Sequence, residues 1–304
     1  MRKHKNIWII VACVIVAAIA TGGWIARNYI ISQRQEKSLN FNGKRAYQDL
    51  AYQVSLGSRV PGTPGHEQIV KWMVDELKKA GWQTEVQQTL QMGHEVQNVI
   101  AKRGQGSPWY ILGAHYDTRM WADRDPDPIK ARQPVPGADD GASGVAVLLE
   151  LARNIPVNIK GQVWLVFFDA EDNGDIPGWD WSLGAQAIVQ SLTGKPDGVV
   201  VLDMVGDKDL NIYMERNSDQ IYMTEIWAEA ALSGHSQFIP ILKYSLIDDH
   251  TPFLNAGIRA VDIIDFDYPY WHTSQDTVDK VSAESLKAVG ETVQVWLINK
   301  VKNQ

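Results

Sequence analysis

The stretch Trp109-Tyr110-Ile111-Leu112-Gly113-Ala114-His115-Tyr116-Asp117-Thr118 decides how this chain is read. An uncharged run ends on a histidine and, two positions later, an aspartate. A short apolar run without polar alternation predicts a strand buried on both faces, the pattern of a parallel sheet. Three further runs repeat the arrangement. Val163–Phe168 leads into Asp169-Ala170-Glu171-Asp172, Val199–Leu202 into Asp203-Met204, and Ala260–Ile264 precedes Tyr270-Trp271-His272-Thr273. A fifth motif, Gly137-Ala138-Asp139-Asp140-Gly141, sits where a turn enters a helix. Parallel strands point one way, so their C-terminal ends gather on one edge, where α/β folds place ligands. Imidazoles and carboxylates collected on that rim predict a metal site.

Outward from these strands, helical periodicity alternates with apolar runs. Thr63-Pro64 can cap and start a helix that carries Ile69, Trp72, Met73 and Leu77 on one face until Gly81 stops it. Residues 83–91 and 96–103 read as a strand pair, and Ala142–Ile155, Ile221–Ser233 and Ala283–Val301 as helices. The alternation predicts one α/β domain over residues 44–304, a mostly parallel sheet flanked by helices. Arg119–Pro136 and Asn173–Trp181, rich in Pro, Asp and Trp, follow two of the motifs and are expected as loops at a pocket mouth.

The N-terminus differs from the rest. Arg2, Lys3 and Lys5 precede Ile7–Ala26, which carries no charge and is closed by Arg27. That length spans a bilayer as a helix. The flanking charges predict a cytoplasmic tail at residues 1–6, a single-pass signal anchor at 7–26, a polar linker at 27–43 and an extracytoplasmic body. Competing readings are a signal peptide cleaved near Ala18-Ile19-Ala20 and a lipoprotein box ending at Cys13. Cys13 is the only cysteine, so the body has no intramolecular disulfide, thiol ligand or thiol nucleophile. Beyond residue 37, 23 basic and 35 acidic residues leave a net charge of −12. An acidic body argues against nucleic-acid binding, which needs a basic footprint. It suits a carboxylate-rich site for a metal or a peptide amine.

Zinc takes imidazole and carboxylate ligands where no thiol is on offer. His115 and His272 supply nitrogens; Asp140, Asp172 and Asp203 are the best oxygen donors. Five such ligands suit two bridged metals better than one closed site, and Asp140, at its turn, is placed to lie between them. Asp117 faces the same side as His115 and reads as support for its ring. Glu171, beside a ligand, is positioned as a general base or acid. A lone strand-end aspartate more often caps a helix, and His66, His94 and His235 read as surface or hydrogen-bonded residues. Adjacent acids at Glu171-Asp172 directly after an apolar strand are harder to explain that way, because burying them unpaired is costly.

In order and context these residues resemble the clan MH zinc aminopeptidases and their glutaminyl-peptide cyclotransferase-like branch. The likeness runs from Gly57-Ser-Arg-Val-Pro-Gly-Thr-Pro-Gly65 to Trp271-His-Thr-Ser-Gln-Asp-Thr277. It implies a central mixed sheet, with His115 and Asp203 serving one metal, Asp172 and His272 the other, Asp140 bridging and Glu171 moving the proton. Asp172 stands where many relatives have Glu. In the cyclase branch one zinc is held by the equivalents of Asp140, Asp172 and His272, and Glu171, Asp203 and Asp248 handle protons; in aminopeptidases two zincs are held.

Three features favour the cyclase branch: Trp271 before the metal histidine, the segment Asp248-Asp249-His250-Thr-Pro-Phe-Leu254, and Trp179 and Trp181 in the loop after Asp172. Each tryptophan has packing as its alternative, and the chain has twelve. The complete five-ligand set favours a hydrolase, and Asp262 stands where the cyclases have a histidine. The expectation is therefore an enzyme acting on peptide or protein N-termini, converting N-terminal Gln to pyroglutamate with release of ammonia. A zinc aminopeptidase is the alternative, and a catalytically silent binding ectodomain the second; retention of every ligand and of Glu171 counts against the latter.

Overall fold

The apolar runs become the centre of a six-stranded sheet. The computed structural model describes residues 40–302. Its strands are β1 (Gln83–Gln91), β2 (His94–Gln105), β3 (Trp109–His115), β4 (Gly161–Phe168), β5 (Gly198–Asp203) and, after the small pair β6 (Ile212–Met214) and β7 (Phe238–Leu242), β8 (Ala260–Ile264). Their order is β1-β2-β4-β3-β5-β8. The pairs β4–β3, β3–β5 and β5–β8 are parallel, whereas β2 runs antiparallel to both β1 and β4, so the sheet is mixed. The C-terminal ends of β3, β4, β5 and β8 accordingly share one rim.

Helices cover both faces, which is why the central strands lack polar alternation. On one face Leu112, Ala114, Leu165, Phe167, Val200 and Leu202 pack with Leu50 of α1 (Gly43–Ser55), Ile69 and Met73 of α2 (Pro64–Lys79) and Leu148 of α3 (Ala142–Asn154). On the other, Ile111, Val166, Phe168, Val199 and Val201 pack with Ile188 of α4 (Leu183–Ser191). The elements α5 (Gln220–Ser233), α6 (His250–Asn255) and α7 (Ala283–Lys302) complete the layers. Each buried Leu, Ile or Val contributes roughly 1.5–3 kcal/mol of transfer free energy, so a charge in any of these runs would be severely destabilising.

Local chemistry sets the helix positions that matter for the rim. Thr63 caps α2 by accepting from the His66 N–H, with Pro64 in the first turn. α3 lies so close to the sheet that a Cβ on Gly144 would meet the Leu202 carbonyl oxygen at 2.1 Å. Only glycine permits that approach, and it holds the N-terminus of α3, carrying Asp139 and Asp140, against the end of β5.

Phe41, placed by composition in the linker, is buried with its ring against Gly290. The compact body therefore begins at Phe41, ahead of the expected boundary at Lys44. The expected anchor at 7–26 lies outside the described residues; among those described, no helix is long and apolar enough to cross a membrane.

Candidate metal centre

The rim brings all five expected ligands together. His115 ends β3, Asp203 ends β5, Asp172 follows β4, Asp140 precedes α3, and His272 lies in the loop after β8. Their ligand atoms fall into two groups that share one residue: His115, Asp140 and Asp203; and Asp140, Asp172 and His272. His115 Nε2 is 3.1 Å from both Asp140 Oδ1 and Asp203 Oδ1. His272 Nε2 is 2.9 Å from Asp172 Oδ1 and 3.7 Å from Asp140 Oδ2. Asp140 thus turns one oxygen toward each histidine, the bridging position its turn suggests.

Backbone strain accompanies this geometry. Ala170, Met204 and His272 adopt φ values of 53°, 43° and 57° although none is glycine. Non-glycine residues in this left-handed region cost on the order of 1 kcal/mol each and concentrate at functional sites. The three lie immediately before Glu171, immediately after Asp203, and at the second histidine, where they aim site residues off the ends of strands and loops.

All five side chains are buried, and that shapes their charge. Burial opposes protonation of His115, yet Asp203, Asp117 and Asp140 together push it well above its ordinary value. His272, likewise opposed by burial, is raised to about 9 by Asp172, Asp123 and Asp140. Burial raises Asp172 to about 6, with Asp140 adding to it, and Asp203 to about 7. Asp140 feels the same desolvation, but the two imidazoles hold it below the carboxylate range. Asp140 Oδ2 and Asp172 Oδ2 are buried and have no hydrogen-bond partner among the described residues. A divalent cation there would satisfy those oxygens, and a nitrogen–oxygen donor set without thiols suits zinc.

Supporting residues lock the ligands in place. Asp117 lies 3.5 Å from His115 Nδ1, as its spacing suggests, and also accepts the backbone N–H groups of Glu171 and Asp172 at 3.0 and 3.3 Å. One buried carboxylate thus aligns both sides of the site. Asp123 faces His272 Nδ1 at 3.6 Å and is itself gripped by Arg119, which also donates to the carbonyls of Asp172 and Gly174. Asp276 accepts from the backbone N–H groups of Asp139 and Asp140 at 2.8 and 3.2 Å and from the Tyr268 hydroxyl at 2.6 Å. It fixes the turn that presents the bridging carboxylate. Arg59 is fully buried and donates to the carbonyls of Tyr116, Pro136 and Gly137. Asp123, Asp276 and Arg59 were not picked out from the sequence, although the last two lie inside the quoted motifs.

Glu171 is buried beside these ligands and accepts from Ser182 Oγ at 3.2 Å. Burial, reinforced by the charges of Asp248, Asp249 and Asp172, raises its carboxyl well above the ordinary range. Asp248 is therefore close enough for its charge to act on Glu171. The three tryptophans separate. Trp271 packs against His272 with ring centroids 4.0 Å apart, and Trp181 lies parallel to the same imidazole at 6.3 Å. Trp179 instead stacks on His94 at 3.6 Å and packs on Val96, Ala170 and Leu183. Of the two tryptophans in that loop, Trp181 is thus the one beside His272. His66 is buried and bonded to Asp169 at 2.7 Å, a hydrogen-bonded core residue outside the ligand groups.

The sequence profile of peptidase family M28 matches residues 98–297, nearly the whole stretch that carries these residues. Among solved structures, a Zn-dependent exopeptidase from Parabacteroides distasonis is 32% identical with a TM-score of 0.80, over 85% of this chain and 98% of that one. The glutaminyl cyclase of Tannerella forsythia is 34% identical with a TM-score of 0.79, over 87% and 99%. A glutaminyl-peptide cyclotransferase of Drosophila melanogaster is 26% identical, over 76% of this chain and 75% of its own length. The chain belongs to peptidase family M28.

Proposed function

We propose that this protein is a zinc enzyme acting on peptide N-termini, and that its reaction is glutaminyl cyclisation. The observation that carries the choice is aromatic: Trp271 and Trp181 both flank His272, the imidazole of the Asp140–Asp172 group. Aromatic rings beside that imidazole suit one flat side-chain amide better than the varied side chains an aminopeptidase admits. Similarity to glutaminyl cyclases over most of the chain supports the same reading.

In this reading Asp140, Asp172 and His272 hold one zinc. When bound, the metal supplies Lewis acidity toward the γ-amide oxygen. Glu171 takes a proton from the substrate α-amine as that nitrogen bonds to the γ-carbonyl carbon. It then returns the proton to the departing amide nitrogen, which leaves as ammonia when the carbon–nitrogen bond breaks. A carboxyl raised by burial is suited to both halves of that transfer. Asp203 and Asp248 act as its proton-handling neighbours, and Trp271 and Trp181 hold the substrate side chain and exclude water that would hydrolyse it.

A second reading rests on the shared Asp140: two three-residue groups are the donor set of a two-metal aminopeptidase, with His115 and Asp203 holding the second zinc. A paired assay separates the two. The zinc-loaded protein is expected to release ammonia from Gln-initiated peptides; cleavage of aminoacyl amides without ammonia release from those peptides would sink the cyclase reading. We further propose that the apolar segment 7–26 anchors the enzyme in a membrane with its body extracytoplasmic. Sedimentation with membranes that is resistant to salt and released by detergent tests this.

A further inference from the structure

A second buried polar cluster lies behind Asp248 and outside the metal ligands. It joins Glu215, just beyond β6, His250 at the start of α6 and Asp262 on β8. All three are buried, His250 and Asp262 with no exposed surface. His250 stands between two carboxylates, with Nε2 3.5 Å from Glu215 Oε2 and Nδ1 3.7 Å from Asp262 Oδ2. Glu215 is firmly held. It accepts from the N–H groups of Asn217, Ser218 and Leu246 and from Ser218 Oγ, at 2.7 to 3.0 Å. Ser218 Oγ in turn accepts the Asp262 N–H at 3.0 Å.

The Asp262 carboxyl is the anomaly. Neither of its oxygens finds a donor among the described residues. Its neighbours are Asp248, His250, Glu215 and Asp203, three of them acids. The oxygens of Asp248 and Asp262 come within 4.8 Å of each other. Two ionised carboxylates repel at that range in a buried site, whereas a single proton between them forms a hydrogen bond. Burial and the surrounding acids push the Asp262 carboxyl well above its ordinary range, which agrees with a proton residing there.

We propose that Asp262 is a positioning residue: anchored through its backbone N–H on Ser218, which in turn is bonded to Glu215, and flanked by His250, it donates one hydrogen bond to Asp248 and fixes that carboxylate beside Glu171. This rests on the reading of Asp248 as a proton-handling neighbour of Glu171. The chain runs from Glu215 through His250 and Asp262 to Asp248, with rigid backbone donors at its far end.

The test compares Asp262→Asn with Asp262→Leu in the zinc-loaded enzyme, on whichever N-terminal substrate the wild type turns over. Failure of the cyclase reading therefore leaves this comparison intact. Loss of a hydrogen bond to a charged group predicts that Asp262→Leu lowers kcat about 10- to 100-fold, with KM and zinc content little changed. Asp262→Asn keeps the shape and offers an amide N–H to Asp248, so it recovers most of that loss. His250→Gln, which releases Asp262 from its far partner, lowers kcat in the same direction and is the readout should Asp262→Leu not fold. The proposal is overturned if Asp262→Asn is as slow as Asp262→Leu, or if the substitutions change KM or thermal stability but not kcat. It is also overturned if the wild type carries an additional metal equivalent that Asp262→Asn loses, since the group Asp248, His250 and Asp262 would then be a metal site.

Discussion

The two halves of the metal centre are built from the same residue types in different settings. The His115 half is strand-borne: His115 and Asp203 end adjacent parallel strands, and the supporting Asp117 is fully buried. The His272 half is loop-borne. Its histidine has a left-handed backbone, its support Asp123 is 40% exposed at the side chain, and two tryptophan rings line it. The contrast is one of construction. One half is fixed by adjacent strands of the sheet, and the other is framed by loops and aromatic rings.

The strongest way to break that division is to remove each histidine in turn. His272→Ala is expected to abolish zinc retention at the Asp140–Asp172 group and turnover with it. A purified variant with full metal content would refute the ligand assignment. His115→Ala sharpens the comparison by metal analysis. One equivalent remaining from one supports cyclisation, and a fall from two to one supports the hydrolase.

Next in size is Glu171→Gln, which keeps shape and metal but cannot carry the proton. Turnover should fall about 10²- to 10⁴-fold with zinc content unchanged; unchanged turnover would support a binding protein instead. Asp117→Asn comes third. Residues supporting metal ligands typically govern about 10- to 100-fold in metal affinity or activity, and Asp117 also aligns two backbone N–H groups. Competition with a chelator measures it. Asp123→Asn is expected to have the smallest effect, only a few-fold in the same assay, because water already screens a half-exposed carboxylate. If it proved as costly as Asp117→Asn, the contrast between the halves would not hold.

Residues at the ends of apolar strands were the most legible. Central strands of a covered sheet must be apolar throughout, so β3, β4, β5 and β8 stood out, and their ends named His115, Asp172 and Asp203. The short elements did not. β6 and α6 have three and six residues, too few for any period to show. Helix α1 is mostly polar, with four buried positions, and nothing in its composition marks it. Trp179 and Trp181 are two residues apart in one loop, and only the packing around His94 and His272 tells them apart.

Asp276 shows the limit most clearly. It lies four residues from a metal histidine in a quoted motif, yet its partners are backbone groups some 137 positions earlier in the chain. Residue type and order along the chain determined the α/β class, the rim and the five candidate ligands, because burial dictates strand composition and imidazole and carboxylate donors suit zinc. Tertiary structure alone decided which ligands share Asp140, which tryptophans face the site and which buried acids hold others in place. Those are relations between distant segments, settled by distances of a few ångströms that no local pattern encodes.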